Sequence, residues 1–407
     1  MQSRFLADQH GGVAPIFALA LVPMIGLAGA AIDYSRASAA RTAMQASLDA
    51  TTLMIAKDAQ LIASDQVGAR ATQLFNAGFG RDDVQSIQVN AVVSSGTAGT
   101  TVTATAGGAV PTTFMHVLGQ STMNIAAHAS VVSATDGLGC VLSLNPSASG
   151  AATAQGSTTV KLNGCSLYDN SANSSALTVG GSATVAADFI GVVGGIGSST
   201  GITTVNGVRT HISPVADPYA DVAAPTYSGC DQTNYSAHNT VTINPGVYCG
   251  GIGVNANGVL TLNPGLYILD GGGLTINGGA TVNGSGVTLF FTASSGRSWA
   301  GVTINGNANV NLTPMTYGPT RGIVVFADRN TPQGTSFKFN GGSNQYFAGA
   351  IYVPTGAVNF AGGADTATTC TQVIGDTVTF TGNSNLAIDC SRYNTRPFSS
   401  KTMRVAS

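Results

Sequence analysis

The chain has 407 residues and a formal charge of -2, with 43% hydrophobic residues, 53 glycines and only 8% Lys, Arg, Asp and Glu. So apolar a composition excludes a disordered polyelectrolyte, and four Lys with twelve scattered Arg leave no basic stripe for a phosphate backbone, so nucleic acid is not an expected partner. All eighteen acidic residues are Asp, which removes any chemistry that needs a Glu acid, base or ligand.

Residues Gly11 to Ile32 carry no charge and read GGVAPIFALALVPMIGLAGAAI. At about 1.5 Å per residue such a helix reaches about 33 Å, enough for a bilayer core of about 30 Å. Pro15 falls in the first turn, where its missing N–H does little harm, and Pro23 is expected to kink the middle. A cleavable leader ending at Ala28-x-Ala30 is the competing reading. The helical pattern continues past that point, with Tyr34, Ala37, Met44, Leu48, Thr51 and Ile55 at spacings that place them on one stripe. The stripe packs either on the chain's own domain or on helical partners in an assembly.

Residues 84–133 alternate apolar and small polar residues, as in VQSIQVNAVV and TTVTATAG, which predicts a small strand-rich unit with a helical turn or two at VPTTFMHVLG. His116 and His128 have no nearby carboxylate or Cys and are read as packing or surface residues.

From Gly137 the texture changes. Asn-Pro-Gly-apolar-Tyr occurs at Asn244–Tyr248 and again at Asn263–Tyr267, Thr-Ile-Asn recurs, and short apolar strands end in Asn or Gly. Those residues tolerate the left-handed conformations of sharp corners. The pattern predicts a right-handed parallel β-helix, a solenoid whose short strands stack coil on coil over a narrow Val, Ile and Leu core. A sandwich would show longer strands at steadier spacing. Prolines 214, 218 and 225 oppose strand ladders and mark an excursion near 211–230 between two solenoid portions. Either the Cys370 to Cys390 loop or the polar tail is expected to cap the stack. The whole reads as a mainly β chain: a transmembrane and extended helix over 1–62, a small α+β unit over 63–136 whose helix-then-strands order resembles pilin-like architecture, the solenoid over 137–392, and a tail over 393–407.

The six cysteines are Cys140, Cys165, Cys230, Cys249, Cys370 and Cys390, without the close pairs of a zinc site. Neighbours in sequence point to three local disulfide loops, one among fifteen possible pairings. Disulfides need an oxidising compartment and so put the C-terminal mass outside the cytoplasm.

Gly12 and Ala14, the central Pro23, Gly29 with Ala31, Asp33 and Arg36, and then Gln45 and Asp49 form an ordered combination over the first sixty residues. In it the chain resembles the N-terminal region of TadG-like proteins of the Flp (Tad) pilus-assembly system. The resemblance implies a single-pass bacterial inner-membrane protein with a periplasmic or exported bulk. Its implied partners are the inner membrane and other pilus-assembly proteins or pilin subunits; surface polysaccharide is a partner only in a carbohydrate-binding alternative. Related pseudopilins carry a Glu after a cleavable leader, where this chain has Ile16, so processing by a prepilin peptidase is not carried over. Nor is the metal-binding Asp-x-Ser-x-Ser of a von Willebrand A domain, because Asp169-Asn-Ser171-Ala-Asn173 and Asp33-Tyr-Ser35-Arg-Ala37 both lack the second Ser.

A carbohydrate-acting β-helix enzyme would draw on Asp270, Arg297, Arg321, Asp328 and Arg329, but the sequence puts no two carboxylates at a defined separation. Ser199 in Gly197-x-Ser-x-Gly201 lacks the strand and helix that flank a nucleophile elbow. No catalytic residue, cofactor or metal is expected. The favoured reading is a non-enzymatic assembly component, and the alternative is a carbohydrate-binding adhesin or polysaccharide-acting enzyme on a membrane stalk.

Overall fold

The computed structural model describes residues 13–58, 62, 65–96, 99–340, 345–361, 364–387 and 391–406. The protein is mainly β with a long apolar N-terminal helix, and it divides into two compact units, Met1–Ala134 with Lys401–Ser407, and Thr135–Ser400.

In the first unit, helix α1 (Val13–Asp58) runs without a break through Pro23. Its buried stripe is Ala37, Ala40, Met44, Leu48, Thr51 and Ile55, packed on the unit's own strands, while Tyr34 is 66% exposed and leaves the expected stripe. The small Ala37 and Ala40 let the helix approach the sheet closely. A second helix, α2 (Val67–Gly78), buries Val67, Ala71 and Phe75 along one face, and Phe75 stacks on Phe79. Strands Gln85–Gly96, Gly99–Pro111 and Thr122–Thr135 form an antiparallel meander, and the 3-10 turn Met115–Leu118 lies in its last connection. The fourth strand of this sheet is Lys401–Ala406, which pairs beside Thr122–Thr135. The polar tail therefore completes a sheet begun far earlier in the chain, and the second unit is an insertion between two neighbouring strands.

Among the described residues, the ladders of the second unit are parallel and close around a common apolar core. Each strand pairs with its counterpart a coil away: Gly246–Val254 with Gly265–Asp270, that strand with Val287–Thr292, and that one with Ile323–Ala327. The Asn-Pro-Gly-apolar-Tyr repeat is one such step. Asn263 Nδ2 donates to Asn244 Oδ1 at 2.7 Å, the Tyr248 and Tyr267 rings lie 5.8 Å apart, and each phenol donates to the carbonyl of its own Asn. Gly265 has φ +145, and a Cβ there would lie 2.3 Å from Pro245 Cγ.

Stacking order departs from chain order. Ala364–Phe380 does not end the stack, as expected of a cap, but pairs with Gly139–Ser143, joining Val373 to Val141 and Ile374 to Leu142. Likewise Ser384–Ala387 pairs with Thr159–Asn163. The chain thus enters mid-stack, winds outward to Val208–Thr210, and restarts at Gln232–Ala237, whose pairing with Gly246–Val254 leads back toward the middle. Residues 211–230 connect these two portions as a strap across the coils. Its Val215, Tyr219 and Val222 are buried against Leu142, Phe326 and Tyr352 in a second apolar cluster.

Candidate functional site

Helix α1 presents two chemically distinct halves. In the first, Ile16, Phe17, Leu19, Met24, Ile25, Leu27 and Ile32 are 50–77% exposed. By length and composition, α1 is long and apolar enough to cross a membrane. Gly12 lies outside the described residues, as does the side chain of Ala14, and Pro23 is exposed on the helix.

From Gly29 on, the remaining motif residues other than the exposed Ala31 lie against the antiparallel meander, chiefly its connection around 113–115. Gly29 faces Phe114 so closely that an added Cβ would lie 2.4 Å from the Phe114 Cβ. One turn on, the Asp33 carboxylate is buried and accepts backbone N–H groups from Thr113 at 3.0 Å and from Phe114 and Met115 at 2.8 Å each. These donors open the Met115–Leu118 turn, so Asp33 satisfies free N–H groups that its own sequence neighbourhood does not supply. Arg36 adds a 3.2 Å bond to Thr113 Oγ1. Further along, Gln45 Nε2 donates to the His128 carbonyl and to Asp49 Oδ1, both at 2.8 Å, while its Oε1 accepts from the His128 N–H at 3.4 Å. Between these clamps Arg41 Nε donates to the Ala126 carbonyl at 3.2 Å. Arg41 and Ala126 also border an open pocket of about 290 Å³ shared with Tyr34 and Met123. Sequence reasoning did not find Thr113, Phe114 and Ala126, because the backbone groups they contribute leave no mark on composition.

Residues 11–55 match the family model of putative Flp pilus-assembly TadE/G-like proteins. The TadE/G-like segment thus covers the exposed apolar half of α1 and most of its docked half, which supports a role in Flp pilus assembly. No curated protein and no solved structure matches the chain.

In the parallel unit, Cys140–Cys165 and Cys230–Cys249 are disulfides with Cα separations of 5.7 Å each. Cys370 is also disulfide-bonded, and Cys390 lies outside the described residues.

Of the charged residues considered for catalysis, Asp270, Arg297, Asp328 and Arg329 are engaged in structural contacts. Asp270 pairs with Arg297 at 3.2 Å and accepts the Ser294 N–H and hydroxyl. Asp328 accepts the Asn330 N–H and the Thr292 hydroxyl. Arg329 grips the strap through the Tyr219 and Val222 carbonyls, and Arg321 is exposed on a loop. Tyr352 donates to Asp217 at 2.7 Å and accepts from Arg329 at 2.9 Å, and burial pushes its phenol well up, reinforced by the Asp217 carboxylate. Among the described residues no group of three or more His, Cys or Asp could hold a metal ion. Asp169 is fully buried and accepts the Ser171 and Ala152 N–H groups, so it closes a corner.

Proposed function

We propose that this protein is a non-enzymatic, membrane-anchored component of Flp (Tad) pilus assembly, with a β-solenoid held outside the cytoplasm as its interaction module. The observation that carries the reading is the TadE/G-like match over residues 11–55, whose motif residues Gly29, Asp33, Arg36 and Gln45 dock the helix onto its strands. A helix whose first half exposes large apolar side chains loses that surface to water only by entering a bilayer or joining other helices. Inner-membrane anchoring in a single pass accounts for it. Disulfides in the parallel unit support placing that unit in the periplasm or beyond.

In this reading the closed parallel ladders are coils of a right-handed β-helix. Parallel connections within one sheet are right-handed in about 98% of cases, and the Asn and Gly corners suit short coils. Asp270, Arg297, Asp328 and Arg329, on which an enzyme would draw, serve corners and strap, which favours a binding surface over a catalytic one.

The test is a strain lacking the gene, complemented by the full chain or by a chain without residues 1–33. The full chain should restore surface pili and remain in carbonate-washed membranes. The truncated chain should do neither. Normal piliation in the deletion strain, or retention of the truncated chain in the membrane fraction, overturns the proposal.

A further inference from the structure

One ladder of the parallel unit runs through Thr240–Ile243, Val259–Leu262, Thr281–Gly284, Asn309–Leu312 and Gln345–Phe347. Its register sets Thr242, Thr261, Asn283, Asn311 and Tyr346 in one row, adjacent coils lying about 4.8 Å apart. Leu260, Val282, Val310 and Leu312, alternating with this row, are buried, so the row faces outward. It borders an open groove of about 580 Å³ to which Asn263, Ser285 and Thr313 add further amide and hydroxyl groups and no charge.

Asn is disfavoured inside strands, and two in stacked register need a reason. Corner asparagines elsewhere bond to one another, as Asn263 does to Asn244 and Asn305 to Asn277. Among the described residues, the Asn283 and Asn311 carboxamides have no such partner. Aromatic side chains close the far end of the row. The Tyr346 hydroxyl lies 3.4 Å from that of Tyr393, whose ring lies 4.8 Å from the Arg392 guanidinium. Tyr317 is 65% exposed on the adjoining loop, which Asn394 ties down through the Thr316 carbonyl.

We propose that this row binds a neutral polysaccharide, one sugar ring lying across each coil. Carboxamides donate and accept at once, as a sugar's hydroxyls require, and a tyrosine ring offers an apolar face to the C–H side of a pyranose. The coil spacing is close to the length of one hexopyranose. The uncharged lining of the groove, with Arg392 only beyond Tyr393 at its end, selects against uronic-acid polymers. This function goes beyond pilus assembly and rests on the parallel unit alone.

The detergent-solubilised full chain is run through native gels containing a neutral glucan, mannan or galactan, and through gels containing alginate. At least one neutral polymer should retard it and alginate should not. Removing both carboxamides in Asn283→Ala/Asn311→Ala should weaken binding about tenfold or more, with the melting temperature unchanged. Tyr346→Ala should also weaken retention, and if it fails to fold the asparagine pair decides. Retardation by alginate alone, by no neutral polymer, or equally by wild type and the asparagine double variant overturns the proposal. Piliation is scored in parallel: pili lost with the whole gene but kept in the asparagine variant separates this site from the assembly role.

Discussion

The Asp33 carboxylate accepts the backbone N–H of Met115 at 2.8 Å across 82 positions of sequence, and the same carboxylate holds the N–H groups of Thr113 and Phe114. A residue just past the apolar stretch of α1 therefore fixes the 3-10 turn of the antiparallel meander. Asp33→Ala should leave three N–H groups seeking water and open residues 112–121 to protease. The comparison is Asp49→Ala, which removes one side-chain bond with Gln45. Limited proteolysis and thermal melting of the full chain check this, and equal behaviour of the two variants would contradict it.

Gly29 tests the same junction sterically. A methyl group there meets Phe114 at 2.4–2.7 Å, so Gly29→Ala should displace the ring and cost about 1–3 kcal/mol, in the range of overpacking. Phe114→Gly removes the obstruction. The double variant should recover part of the loss, and a denaturant cycle showing strict additivity would argue against direct contact.

Legibility differed by element for physical reasons. The buried stripe from Ala37 to Ile55 repeats at helical spacing and was readable, yet Tyr34, on the same spacing, stays exposed at the rim of the pocket it shares with Met123 and Ala126. Helix α2 also carries a spacing signal in Val67, Ala71 and Phe75, but it is brief and sits beside strand-like sequence. The Asn and Gly corners announced stacked parallel strands. They did not announce that Ile374 would pair with Leu142, because a parallel ladder is made of backbone bonds that any two apolar strands can form. At the docking junction, the Asp33 and Gln45 side chains were singled out from sequence, but the N–H and carbonyl groups they grip were not.

The strap offers a third test. Tyr219 is fully buried, packs its ring 5.3 Å from that of Tyr352, donates to Gln372 Oε1 and accepts the Arg396 N–H. Tyr219→Ala should cost about 3–5 kcal/mol and release the Pro-rich segment for cleavage within 211–230. Tyr219→Phe keeps the packing and should lose about 1–2 kcal/mol. Cleavage patterns identical in all three proteins would show that the strap is held by other groups.

Alkaline pH should loosen the parallel unit. Burial pushes the Tyr219 and Tyr248 phenols up to about 12 from a usual 10. Their folded-state values are raised, so the stability they contribute is complete below pH 10 and is lost as pH rises through about 12. Denaturant midpoints should fall across that window, with phenolate absorbance rising late relative to a free tyrosine. Tyr219→Phe should flatten part of the slope.

The absence of Glu acquires a structural cause in the parallel unit. Asp169, Asp231, Asp270 and Asp328 each accept a backbone N–H at a strand end or corner, and Asp217 does so for Tyr219 within the strap. A carboxylate one carbon from the backbone reaches such groups from a tight turn, while a second methylene carries it past them and into packed neighbours. Asp169 and Asp270 are 0% and 3% exposed, so the extra volume has nowhere to go. Asp169→Glu and Asp270→Glu should each cost about 1–3 kcal/mol, although charge is unchanged. Asp82→Glu, at an exposed site in the other unit, should change stability by less than about 0.5 kcal/mol. Chemical denaturation of the three variants separates the explanations: equal stability in all would mean that the acid's length is immaterial and that these corners do not account for the bias toward Asp.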